Sequence, residues 1–162
     1  AAMLDTTRLP PRLNDGMAVS RSYWSRLMGS LIDFTAPVPP VAKARPRVTM
    51  VGGNARAYTP RKTADFEKAI ALHCPSTMME GPVKLTLTLA LPIPASWSKK
   101  KQTAAATHEI RPTSRPDIDN YAKAVMDGLD GRAFADDAQV VSLAVDLVYA
   151  TDPHVRVIVQ PV

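Results

Sequence analysis

The most constraining stretch is Val83 to Leu91. Val83, Leu85, Leu87, Leu89 and Leu91 alternate with Lys84, Thr86, Thr88 and Ala90. Gly81-Pro82 stands before it, and Pro92 and Pro94 close it. A strict period of two predicts a strand with one face in a core and the other toward water. Such a strand needs neighbours on both sides and a layer over its apolar face. Neighbours are at hand: Val141, Leu143, Val145, Leu147 and Tyr149 alternate in the apolar run Ala138 to Ala150. The turn Thr151-Asp152-Pro153-His154 then leads to a strand over Val155 to Val159. Leu31 to Thr35 reads as a first strand, stopped by Pro37, Pro39 and Pro40.

Three helices can supply the covering layer. Thr59-Pro60 is a helix-start pair, with threonine as cap and proline in the first turn. Phe66, Ala69, Ile70 and His73 follow on one face, ending by Pro75. Ser96-Trp97-Ser98-Lys99-Lys100-Lys101, with a serine cap before a charged turn, opens a short helix that runs into Ala104-Ala105-Ala106. After Pro116, Ile118, Tyr121, Ala122, Val125 and Leu129 recur at three- and four-residue steps, an amphipathic helix. Gly52-Gly53-Asn54 between short strand-like runs predicts a hairpin carrying Lys43, Arg45, Arg47 and Arg56. The expected fold is α+β, a single domain over residues 31–162 with helices on one face of a mixed sheet. Fifteen prolines, about twice the usual share, fall mainly between these elements and act as punctuation. Residues 1–30 have no clear period beyond a short helix at Val19 to Met28. They read as an N-terminal extension, a cloning artefact or an upstream start.

The central helix carries the chemistry. Asp117 stands at its start, where a carboxylate can cap free amides. Asp119, Lys123 and Asp127 follow one turn apart on the polar face. Asp136-Asp137 then precedes the Ala138 to Ala150 strand. Taken singly, each aspartate reads as a cap, a partner in an i, i+4 Asp119–Lys123 pair or a charged turn. Together, two carboxylates at a helix start and two at a strand start can converge on a hard divalent cation. A lysine beside them could hold a phosphate or orient a water.

An Asp-x-Asp-Asn helix start, a lysine four residues after the second Asp, and Asp-Asp-Ala-Gln-Val-Val opening a strand resemble the RusA family. These are Holliday-junction-resolving endonucleases of bacteria and their phages. The resemblance is strong over residues 83 to 160 and looser over 31 to 82. It implies an Mg²⁺-dependent homodimer, with Mn²⁺ as an alternative ion, that cuts branched DNA. By position it assigns the catalytic carboxylates to Asp117, Asp119 and Asp137 and the essential lysine to Lys123. Asp136 matches a neighbouring acid, a further candidate ligand.

A net charge of +5 and a pI near 9.6 suit an anionic partner. An acidic cluster within a basic chain is what a metal nuclease acting on phosphate requires. Candidate DNA contacts are Lys43, Arg45, Arg47 and Arg56 on the hairpin, the Lys99-Lys100-Lys101 run, and Arg111 and Arg115 before the helix. Cys74, the single cysteine, excludes an internal disulfide and falls on the apolar side of a helix. No apolar run is long enough to span a bilayer and no signal-peptide core is visible, so a cytoplasmic protein is expected. Two other readings remain: a junction-binding protein without resolvase activity, and a metal nuclease acting on another branched DNA.

Overall fold

The computed structural model describes residues 31–44, 47–51 and 54–162, the side chains of 47–51 and 54–58 excepted. The extension expected over residues 1–30, with its helix, lies outside them, as do Arg45 and the Gly52-Gly53 turn. Four strands form one sheet: β1 (Ile32–Ala36), β4 (Val83–Pro92), β5 (Val140–Ala150) and β6 (His154–Pro161). Their spatial order is β1-β6-β4-β5. β6 is antiparallel to both β1 and β4, whereas β4 and β5 are parallel. A parallel pair cannot be joined by a tight turn. The crossover here holds α2 (Lys99–Ala106) and α3 (Ile118–Leu129). The basic ribbon, β2 (Arg47–Val51) with β3 (Asn54–Tyr58), is a separate antiparallel pair, and α1 (Arg61–His73) follows it. The architecture is therefore α+β with a mixed sheet, as expected.

The alternation in β4 does what its period requires. Val83, Leu85, Leu87 and Leu89 are fully buried, and Lys84, Thr86 and Thr88 on the other face are half-exposed. Val155, Val157 and Val159 of β6 continue the buried face, and Ile32 and Ala36 of β1 complete it. Phe66 and Ile70 of α1 and Tyr121, Ala122, Ala124, Val125 and Leu129 of α3 close over it. On the open face Arg156 donates two hydrogen bonds to Asp33, at 3.2 and 2.9 Å, tying β6 to β1.

Several boundaries differ from the sequence reading. β1 runs one residue later, because Leu31 faces water while Ala36 is buried. In α1 Pro60 is itself the N-cap, and its carbonyl accepts from Thr63 and Ala64, so Thr59 does not cap. The buried stripe of α1 is Thr63, Phe66 and Ile70, continued by Cys74, whose thiol burial pushes up in pKa. His73 lies outside it, exposed, with its Nδ1 against the Ala69 carbonyl. β5 begins at Val140 and not Ala138, since Asp137–Gln139 form a 3-10 turn. Lys43 precedes the ribbon rather than sitting on it.

α1 and α3 meet at Gly128. A Cβ there would lie 2.9 Å from the Glu67 carbonyl oxygen and 3.0 Å from Ile70 Cβ. Replacing a helix-interior glycine by alanine ordinarily gains about 1 kcal/mol in propensity. Here backbone blocks the added methyl, and overpacking of this kind costs about 1–3 kcal/mol. Gly128→Ala should therefore destabilise the fold, seen as a lower denaturant midpoint at unchanged m-value. A midpoint raised by the substitution would mean that the two helices are not in close contact.

Candidate active site

α3 is divided lengthwise. Burial of Tyr121, Ala122, Ala124, Val125, Gly128 and Leu129 against the sheet and α1 turns Asp119 and Lys123 outward and leaves Asp127 half-buried at the margin. Asp117 is the N-cap, with extended backbone, yet its carboxylate makes no cap hydrogen bond. Its main-chain carbonyl accepts from Asn120 N–H instead. The capping role expected for that side chain is not taken up, and the carboxylate stays exposed and available. Asp119 is also exposed, and its Oδ1 accepts from Asn120 Nδ2 at 3.3 Å.

The second acidic segment is fixed by residues whose part the sequence reading missed. Phe134 is fully buried, and Gly131 donates to its carbonyl at 2.8 Å. Met79 N–H donates to Ala133 O at 2.7 Å, which seats this turn against the chain entering β4. Gln139 then closes the next turn. Its Oε1 accepts from the Ala135 and Asp136 amides, and its Nε2 donates to the Met79 and Gly81 carbonyls. Asp136 answers with Oδ1 accepting from Ala138 N–H at 2.8 Å, completing a reciprocal capping box. The Asp-x-x-Gln spacing of residues 136–139 was the available signal for this. Asp136 is thus spent on shaping the turn, and Asp137 is the carboxylate the turn presents.

Lys123 joins the two segments. Its Nζ lies 2.6 Å from Asp137 Oδ2 and 2.9 Å from Asp127 Oδ1. The expected i, i+4 partner, Asp119, is not the one engaged. Two carboxylates on the far side of the lysine offer more than a single exposed one before it. Their hydrogen bonds, Asp137 first and Asp127 second, outweigh burial and hold the Lys123 ammonium well above the ordinary lysine range. Asp127 Oδ2 is in turn 2.5 Å from Lys43 Nζ, which is also 2.5 Å from Glu67 Oε1 of α1. Burial favours neutral Lys43, but these two carboxylates overcome it and raise its pKa. Lys43, expected on a DNA-facing hairpin, is therefore an internal cross-link between helices.

Among the described residues, no three His, Cys, Asp or Glu side chains are gathered as a metal cluster. The expected convergence of Asp117, Asp119 and Asp137 is not formed by the side chains as they stand. The Lys123 ammonium compensates Asp137. Asp117 instead lines an open cleft of about 500 Å³ with Arg111, Ile118, Val145, Asp146 and Leu147. Arg111 Nη1 stands 3.8 Å from Asp146 across it. Of the other basic candidates, Lys99, Lys100 and Arg115 are exposed. Lys101 Nζ lies 3.8 Å over the Trp97 ring, whose neighbour Tyr149 packs edge-on. Arg47 pairs with Tyr58 and Arg56 with Thr49 in the ribbon's backbone register.

The family model described as "Endodeoxyribonuclease RusA" matches residues 37–160. A protein of Bacillus subtilis (strain 168) described as "Uncharacterized protein YqaN" is 39% identical over 137 residues. That alignment covers 81% of this chain and 96% of the relative.

The ion-pair chain has a definite pH signature. Burial would raise the Asp127 carboxyl, but hydrogen bonds from Lys43 and Lys123 outweigh it and hold its pKa below the ordinary 3.8. A depressed carboxyl contributes stability that is complete above its unfolded pKa and is lost as pH falls through the folded value. Asp127→Asn should therefore lower stability by roughly 1–3 kcal/mol at neutral pH. The deficit should hold at higher pH and shrink toward zero as acid protonates Asp127 in the wild type. Paired thermal or urea melts across pH 2–8 measure it. A deficit independent of pH would show that the carboxylate charge is not what stabilises.

Proposed function

Because the chain belongs to the RusA family of endodeoxyribonucleases, we propose that it resolves four-way DNA junctions by paired phosphodiester cuts in recombination and repair. Asp117, Asp119 and Asp137 would hold Mg²⁺, or Mn²⁺ in its place. One observation carries this reading: the 2.6 Å Lys123–Asp137 ion pair, which ties α3 to the 136–139 turn across 14 residues of chain. The donor chemistry fits a hard cation, since all three ligands are carboxylates. Asp117 and Asp119 are exposed, and the Asp117 side chain is not spent on the helix cap. When bound, the ion activates water and stabilises charge at the scissile phosphate. The chain's own contribution is position and charge. The 136–139 turn holds Asp137 opposite α3, and the Lys123 ammonium, fully protonated at neutral pH, contacts the phosphate or orients the attacking water. Lys99, Lys100, Arg111 and Arg115 on the crossover, with Arg47 and Arg56 of the ribbon and Arg45 two residues before it in sequence, contact the DNA backbone.

Cleavage of a four-way junction, beside a flap, a nicked duplex and plain duplex, tests the substrate. Asp119→Asn should abolish Mg²⁺-dependent cutting while junction affinity holds or rises, since a charge facing phosphate is removed. Lys123→Ala should lower the single-turnover rate about a hundredfold or more, the range for removing a preorganised charge from the transition state. Binding without cutting by the wild type would make it a junction-binding protein. Preference for the flap or nick would reassign the substrate, and a wild-type rate for either variant would reject the assigned chemistry.

Symmetric cuts need symmetric sites, so the working form is a C2 homodimer. The β5 edge supports an interface, because β5 pairs with β4 alone in the described sheet. Its Val141 and Leu143 are 61% and 47% exposed, and nearby in the cleft wall Ile118 is 44% exposed. Exposed apolar side chains on an unpaired edge are normally covered by a partner. Leu143→Glu should convert a dimer to a folded monomer in sedimentation analysis. An unchanged dimer would place the interface elsewhere.

A further inference from the structure

We infer that Asp127, anchored by Lys43 and Glu67, is a positioning residue that keeps the Lys123 ammonium over the 136–139 turn when Asp137 is disengaged from it. This rests on the reading of Lys123 as the catalytic cation. Nothing in the family match assigns a role to Asp127, Lys43 or Glu67.

The geometry is a chain of alternating acids and bases. Glu67 Oε1 meets Lys43 Nζ, Lys43 meets Asp127 Oδ2, Asp127 Oδ1 meets Lys123 Nζ, and Lys123 meets Asp137 Oδ2. The two oxygens of Asp127 therefore serve two different lysines, so its carboxylate plane is fixed from both sides. Lys43 is itself fixed at both ends, since its backbone N–H donates to Asn120 O at 2.8 Å. Asp127 also adjoins Gly128, where α3 rests on the Glu67 carbonyl. The anchor thus stands beside a close helix–helix contact. The Asp127 and Lys43 side chains are 24% exposed, against 50% for Lys123 and 41% for Asp137. The chain runs from a half-buried, rigid end to an accessible, working end.

Lys123 engages Asp137 through Oδ2 alone, so a cation bound by Asp137 would compete with the ammonium for one carboxylate. When that bond loosens, a lysine with no second partner would sample many rotamers. Asp127 supplies the second partner, one helical turn further on and already in place at 2.9 Å. The lysine can then give up Asp137 without leaving the site. Asp127 touches no reacting atom in this scheme and acts through Lys123.

A double-mutant cycle on single-turnover junction cleavage separates this role from plain stabilisation. Asp127→Asn should lower the rate about tenfold or more, the scale of lost outer-shell partners, with junction affinity unchanged. In a Lys123→Ala background the same substitution should change the rate less than twofold. Asp127→Glu should recover part of the loss. Equal losses in both backgrounds, or no loss in the wild-type background, would overturn the proposal. A wild-type rate for Lys123→Ala alone would instead reject the catalytic reading of that lysine. If Asp127→Asn does not fold, Lys43→Met, which keeps Asp127 but removes its anchor, carries the same cycle and the same outcomes. A readout without turnover comes from ¹H–¹⁵N spectra of lysine ammonium groups. The Lys123 signal should persist in the wild type with Mg²⁺ added and be lost in Asp127→Asn, and its survival in the variant would overturn the positioning role.

Discussion

Helix α3 has to satisfy two demands with one amphipathic sequence. Its buried residues, Tyr121, Ala122, Ala124, Val125 and Leu129, close the core over β4 and β6. That burial leaves no freedom in where the other face points. Asp119, Lys123 and Asp127 lie at four-residue spacing, so they form a stripe along the helix whose direction the core sets. The same hydrophobic contact that stabilises the domain therefore aims the site. A shift of α3 on the sheet would cost packing and would misplace Lys123 by the same movement. Gly128 makes the coupling tighter, because helix α1 sits against it at backbone distance.

The second half of the site depends on hydrogen bonds more than on burial. Phe134 plugs the turn into the core, but the residues that follow are exposed or half-exposed. Gln139 holds them, spanning two amides of its own turn and two carbonyls of the 79–81 segment. A side chain with both donor and acceptor ends is required there, and glutamate could not donate to the carbonyls. Asp137 is consequently held against the start of β4 and opposite α3, on a support independent of the helix. Two separately supported carboxylate segments, joined by one lysine, allow adjustment between them without loosening either.

Much of this was legible in the sequence, and the exceptions have physical causes. The period-two run of Val83 to Leu91 and the helical run from Ile118 to Leu129 each encode a buried face directly, so both elements appeared where expected. Cys74 likewise fell on the buried side. The helix-start error at Thr59-Pro60 arose because capping depends on backbone geometry as well as residue type, and here the Pro60 carbonyl already accepts the first bonds. The partners of Lys123 were not readable from helical spacing. Spacing offered Asp119 and Asp127 alike, and only Asp127 is engaged, while Asp137 is a contact formed only once the chain folds back. Gln139 was overlooked because a polar residue after two aspartates looks like more of a charged turn, although its three-residue separation from Asp136 is a capping-box pattern.

Lys43 shows how far net charge can mislead about individual residues. In a chain of charge +5, a lysine just before an arginine-rich hairpin looks like one more contribution to phosphate attraction. Folding removes it from that role by setting it between Glu67 and Asp127, where three charges are half-buried together. A group in that position cannot also reach outward without leaving Glu67 uncompensated and Asp127 with Lys123 alone. Its pairing with Asp127 and Glu67 limits the negative charge behind Lys123. The exposed bases of the crossover, Lys99, Lys100 and Arg115, remain at the surface, while Lys43 acts on the electrostatics of α3 from within.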